Sequence, residues 1–150
     1  MNICVWSGSS FEKSYASYHL MEGLINALLQ SKHNVWLVQM KRSTGILPKS
    51  FEGKINLHVV NIPWAEPRKT SFVKRYLNSI KYYKACEKEI DKIKSLDAIF
   101  LQSNTVAFFP INFCKKRKIP VVFNVQDIFP IDALVTGMLS SKHPAFVFSR

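Results

Sequence analysis

Gln126 and Asp127 stand directly after the apolar run "IPVVFNV", residues 119–125, and just before an apolar turn closed by Pro130. An amide and a carboxylate that close a strand reading as buried on both faces stand where open α/β sheets place their chemistry. An Asp that caps the turn before Pro130 is the alternative use of the same residue. Two other apolar runs end in small polar residues in the same way. "NICVW" runs into "SGSS", where Gly8, Ser9 and Ser10 let backbone N–H groups approach a phosphate at a helix N-terminus. "DAIFLQ" runs into the polar group formed by its own Gln102 with Ser103 and Asn104. Only Gly8 in the first of these turns is a glycine, so the dinucleotide fingerprint G-x-G-x-x-G is not met. A tight turn with Ser14 as the helix N-cap accounts for the same residues without a ligand.

A second kind of chemistry is carried by the segment from Pro67 to Cys86. It holds six cations, Arg68, Lys69, Lys74, Arg75, Lys81 and Lys84, and no acid. Phe72, Val73, Tyr76, Leu77, Ile80 and Tyr83 recur at spacings of three and four, so the segment reads as a basic amphipathic helix. Such a helix suits an anionic membrane surface, where each cation contributes about 1 kcal/mol. Its apolar stripe is equally suited to packing on a sheet, leaving the cations solvated. "CKKRK", residues 114–118, places cations at a helix C-terminus, where the dipole favours them. The aromatics lack the arrangement an RNA-binding sheet requires, so no nucleic-acid partner is expected.

The four histidines, His19, His33, His58 and His143, lie beside no obvious Ser or Cys nucleophile, which gives no support to a hydrolytic triad. His19, early in a helix that opens toward the strand ends, is the one of interest, and an ordinary helix-surface histidine is the favoured reading of it. Cys4, Cys86 and Cys114 are odd in number and show no zinc-ligand spacing, so they read as reduced, buried thiols of a cytoplasmic chain. No metal site is expected. "MNICVW" begins as a strand, not as a signal peptide, and no apolar run reaches the roughly 20 residues that span a bilayer. Any membrane contact is therefore expected to be peripheral.

These residues need elements to hold them. At 150 residues with 47% hydrophobic and 21% charged, the chain has the balance of one globular domain, and the net charge of +11 points to a polyanionic partner. Apolar runs at "NICVW", "NVWLVQM", "INLHVVNI", "DAIFLQ" and "IPVVFNV" predict five strands. Between them, residues 14–33, 70–94 and 105–118 predict helices, the first with Leu20, Leu24, Ile25, Ala27 and Leu28 at helical spacing. Strands alternating with helices predict an α/β fold: a Rossmann-like parallel sheet with helices on both faces. In such sheets the ligand sits beyond the carboxyl ends of the strands, which is where the polar turns are expected to converge.

The order "NICVWSGSS…YHLMEGLINALLQSKHNVWLV…VVFNVQDIFPIDALVTGML" resembles the N-terminal half of the family 4 glycosyltransferases of bacterial surface-polysaccharide synthesis. "QDIFP" followed by "TGML" is similar to the Gln-Asp-hydrophobic-aromatic-Pro pattern of one branch of that family. The resemblance is strongest over 2–40 and 119–139 and architectural in between. It implies the acceptor-side domain of a two-domain GT-B glycosyltransferase, with no obligatory metal or other cofactor. Sugar would pass from a nucleotide-sugar to a polyprenyl-diphosphate-linked or polysaccharide acceptor at the inner face of the cell membrane. On that footing Gly8 and Ser9 approach the donor diphosphate or the acceptor sugar. Gln126 and Asp127 take the catalytic loop, and Ser10, Ser103 and Asn104 bind substrate. The cations from Arg68 to Lys84 dock the domain on the anionic membrane. The family's donor-binding domain, with its paired glutamates, has no counterpart in 1–150, so the chain is expected to be incompetent alone. The competing expectation is a non-catalytic membrane-recruiting or scaffold subunit that binds an acidic partner through the basic helix.

Overall fold

The computed structural model describes residues 1–8, 18–41, 47–64, 72–102, 107–125 and 135. Five strands, β1 (Asn2–Trp6), β2 (Asn34–Lys41), β3 (Leu57–Pro63), β4 (Ala98–Gln102) and β5 (Val121–Asn124), form one all-parallel sheet in the order β3-β2-β1-β4-β5. Among the described residues three helices connect them: α1 (Tyr18–Gln30), α2 (Phe72–Ile90) and α3 (Phe108–Arg117), with a 3-10 turn at Lys49–Phe51 before β3. The fold is the Rossmann-like α/β arrangement the alternating pattern predicts.

Each sheet face has its own core. On one face Cys4, Trp6, Val38, Met40, Ile62, Ile99 and Leu101 pack against Tyr82, Tyr83, Cys86 and Ile90 of α2 and Cys114 of α3. On the other, Val5, Val35 and Leu37 pack against Tyr18, Met21, Ile25 and Leu29 of α1, with Phe51 beside them. The central strand β1 is buried from Ile3 to Trp6 because both faces are covered, which is why it reads as a continuous apolar run.

The helices differ in detail from their sequence expectations. In α1 the buried stripe is Tyr18, Met21, Ile25 and Leu29, not the leucine set. Leu20 is 53% exposed, and Ala27 is exposed too. The helix is leucine-rich on two overlapping stripes, and the one carrying the larger Tyr and Met faces Val5 and Leu37. The chain leaves α1 through Lys32 at φ 60, with His33 N donating to the Leu28 carbonyl at 3.1 Å and Lys32 N to that of Leu29 at 3.0 Å. These two bonds satisfy the last carbonyls of the helix as a Schellman ending does, with a lysine where glycine is commoner. The same ending closes α3, with Lys118 at φ 54. The second long helix stops at Ile90, short of residue 94, where turn bonds Lys92 N to Glu89 O and Ile93 N to Ile90 O tighten the chain toward Ser95 at φ 58.

Candidate functional site

The strand order reverses between β1 and β4, so the first connection leaves β1 toward β2 while β4 lies on the opposite side. At such a switch point the loops diverge and leave a crevice beyond the carboxyl ends of the strands. Every strand of this sheet presents a polar side chain at that edge, and all five stand at one register. Gln39 of β2 is paired with Asn61 of β3, and Gln102 of β4 with Asn124 of β5. Ser7 follows Trp6, which is paired with both Val38 and Leu101, and so Ser7 falls level with Gln39 on one side and Gln102 on the other. The row across the sheet is Asn61, Gln39, Ser7, Gln102, Asn124.

Alternation along β1 puts Ser7 on the same sheet face as Val5, so the row lies on the α1 side. Ser7, Gln39 and Gln102 are the buried members and, tyrosines and cysteines aside, the buried polar residues among those described. Burying an amide is costly unless it is hydrogen-bonded. Here the amides bond along the row: Gln39 Nε2 donates to Asn61 Oδ1 at 2.9 Å, and Asn124 Nδ2 donates to Gln102 Oε1 at 3.2 Å. The row carries no formal charge. Amides supply donors and acceptors together, which suits hydroxyl groups or amide-bearing rings better than a bare phosphate.

The backbone at the centre of the row is fixed from both sides. Ser7 N donates to the Val38 carbonyl at 2.9 Å, and Tyr82 Oη of α2 donates to the Ser7 carbonyl at 3.0 Å. Gly8 is half-buried immediately beyond.

Of the residues expected at the site, Gly8 stands at the switch point. Ser9, Ser10, Ser103, Asn104, Gln126 and Asp127 lie outside the described residues, as do Arg68 and Lys69 of the basic segment. Lys74, Arg75, Lys81 and Lys84 are exposed on α2. That helix divides its apolar residues. Tyr82, Tyr83, Cys86 and Ile90 are buried against the sheet, while Tyr76 and Leu77, nearer its start, are exposed beside the cations. His19 is exposed in the first turn of α1, edge-on to Tyr18 at 5.2 Å. Sequence reasoning passed over Ser7, Gln39, Asn61 and Asn124 as site residues. Their signal was present, since each is a polar residue near the end of an apolar strand, but their alignment depends on a register that only the pairing reveals.

Cys4, Cys86 and Cys114, scattered in sequence, all enter the core on the α2 face and are free thiols. Burial holds each protonated: it pushes Cys86 up to about 12 and Cys114 up to about 11, and Cys4 higher still, with the neighbouring cysteines adding to the effect. They are inert core residues, not nucleophiles. Among the described residues no group of His, Cys, Asp and Glu is placed to hold a metal ion, and no helix is long and apolar enough to cross a membrane.

No protein-family model matches the chain, and no curated protein matches its sequence. Among solved structures, the C-terminal domain of a hydrogenase from Pyrococcus furiosus is similar, with a TM-score of 0.62 at 11% identity over 83% of this chain and 90% of that one. At that identity the likeness speaks to fold alone, and with the topology above it makes the chain a Rossmann-like α/β domain.

Proposed function

We propose that the domain binds a sugar-bearing ligand at the carboxyl edge of its sheet and forms the acceptor-side half of a glycosyltransferase. The observation that carries this reading is the uncharged, in-register row Asn61, Gln39, Ser7, Gln102, Asn124, set across the switch point. A row of amides recognises neutral hydroxyl and acetamido groups, and the exposed cations of α2 attract a diphosphate. The row would take the sugar of a lipid-diphosphate-linked acceptor, and the α2 cations, on the helix that packs on the opposite face of the sheet, would attract its diphosphate through solvent. Asp127, three residues past Asn124 in sequence, would orient the acceptor hydroxyl, and Gln126 would support it. Transfer would require a nucleotide-sugar held by a donor-binding domain.

The second reading, a membrane-recruiting or scaffold subunit without catalysis, rests on the exposed run Lys74, Arg75, Tyr76 and Leu77. Peripheral attachment to an anionic surface through α2 belongs to both readings.

Titration of the labelled full chain with farnesyl-diphosphate-linked N-acetylglucosamine, followed by amide NMR, separates them. The acceptor reading expects saturable shifts at the side-chain amides of Gln39, Gln102 and Asn124. Shifts confined to α2, reproduced by farnesyl diphosphate alone, favour the scaffold.

A further inference from the structure

Tyr82 is buried in the second half of α2, yet its hydroxyl reaches the main chain of β1, 75 residues away in sequence, at the last residue before Gly8. The acceptor is the Ser7 carbonyl. A trans peptide is planar and holds its C=O and the following N–H on opposite sides. With the Ser7 carbonyl turned to α2, the Gly8 N–H is turned away from α2. Among the described residues nothing accepts a hydrogen bond from that N–H. The other end of the same residue pair is fixed as well, because Ser7 N is held by the Val38 carbonyl. The peptide between Ser7 and Gly8 is thus locked in direction, and its donor, without an acceptor among the described residues, is turned to the sheet face that carries the amide row.

We infer that Tyr82 is a positioning residue for the ligand site: by holding the Ser7 carbonyl, it presents the Gly8 N–H as a fixed donor to an oxygen of the bound ligand. The role of that donor rests on the acceptor-side reading above, whereas the locking of the peptide does not. Tyr82→Phe is the informative change, since it removes the hydroxyl and keeps the ring packed between Trp64 and Tyr83.

Backbone 15N relaxation and hydrogen exchange on the full chain test the inference directly. In the wild type the Gly8 amide is as ordered as the strand, with an order parameter of about 0.85, but its proton exchanges fast, whereas the Ser7 amide is protected. In Tyr82→Phe the Gly8 order parameter falls below about 0.6 while Val5 and Leu37 keep theirs. The dissociation constant of farnesyl-diphosphate-linked N-acetylglucosamine rises about tenfold, a loss of about 1.4 kcal/mol. A merely structural hydroxyl would lower the melting temperature and leave both Gly8 order and affinity alone, and that result overturns the inference. A protected Gly8 proton in the wild type overturns it without any variant. Should the probe fail to bind the wild type, the acceptor reading falls, and the Gly8 order parameter alone decides whether Tyr82 sets this peptide.

Discussion

Replacing Gln102 by Met separates a ligand-binding amide from a structural one. Gln102 is 6% exposed, and its side-chain oxygen accepts from Asn124 Nδ2 at 3.2 Å. The net worth of such a hydrogen bond is about 0.5–1.5 kcal/mol. Methionine has nearly the same length and volume, and burying its thioether in place of an amide head returns a comparable amount. The two terms nearly cancel, so Gln102→Met is expected to change stability by about 1 kcal/mol or less, a shift of about 2–4 °C in Tm. Binding has no such compensation. A hydroxyl of the ligand that met the amide now meets a thioether and is left unpaired at a cost of about 1–3 kcal/mol, which weakens affinity by about 5- to 150-fold. Thermal denaturation and an NMR titration with farnesyl-diphosphate-linked N-acetylglucosamine give the two numbers on one sample. Affinity within twofold of wild type, on a variant that melts normally, would refute the assignment of the row to ligand binding. A large stability loss with unchanged affinity would make Gln102 a structural partner of Asn124 and nothing more.

The other predictions concern the frame that holds the row. Ile25→Ala empties a fully buried position between α1 and the sheet and is expected to cost about 2–5 kcal/mol, while Leu20→Ala, at a half-exposed site, costs under about 0.5 kcal/mol; urea denaturation reads both, and the reverse ranking would invalidate the buried stripe of α1. The three thiols are expected to resist a maleimide at pH 8 in the native state and to react fully in denaturant. Their pH dependence has a definite sign. The unfolded thiols ionise near 9.0, whereas burial keeps the folded ones protonated to about 11 for Cys114 and about 12 for Cys86. Their contribution is therefore complete below pH 9 and declines as the pH rises toward those values, so the denaturation midpoint should fall across that alkaline window. A midpoint that rises there contradicts the burial of these groups.

Much of this architecture could be read before the structure, for a physical reason. A parallel strand covered on both faces must be apolar at every position, and "NICVW", "NVWLVQM" and "DAIFLQ" are bounded runs of that kind. The α1 stripe was not legible, because Leu20, Leu24 and Leu28 follow helical spacing as faithfully as Tyr18, Met21, Ile25 and Leu29, and only the sheet decides which set is buried. The end of α2 was missed for a related reason. Asp91 to Lys94 carry no glycine or proline, and the i to i+3 turn bonds from Lys92 N to Glu89 O and Ile93 N to Ile90 O that replace the helical pattern have no residue signal of their own. The polar row is the most instructive case. Each member lies at or near the end of an apolar run and is individually unremarkable there. Their meaning lies in a common register, which is a property of the pairing between strands far apart in sequence. Tyr82 carried no signal at all, since a tyrosine in an amphipathic helix reads as core, and its hydroxyl finds β1 only after the helix has docked.

On the acceptor-side reading, the charge of the chain and the neutrality of the row divide the work of recognition in a way ionic strength can expose. Lys74, Arg75, Lys81 and Lys84 are exposed on α2, so their pull on a diphosphate acts through solvent and is screened over about 8 Å at physiological salt. The amides of Gln39 and Gln102 are buried and uncharged, and bonds they would make to a neutral sugar would be almost indifferent to salt. Raising the salt from about 50 mM to about 500 mM, where the screening length falls to a few ångströms, should therefore weaken binding of the diphosphate-linked sugar as a whole. It should leave the ratio of affinities between wild type and Gln102→Met unchanged. If the ratio collapses with salt, the amide acts only by way of the charged part of the ligand, and the row does not read the sugar. If it holds, attraction and recognition reside in different elements: the helix gathers the anion, and the edge of the sheet discriminates what the anion carries.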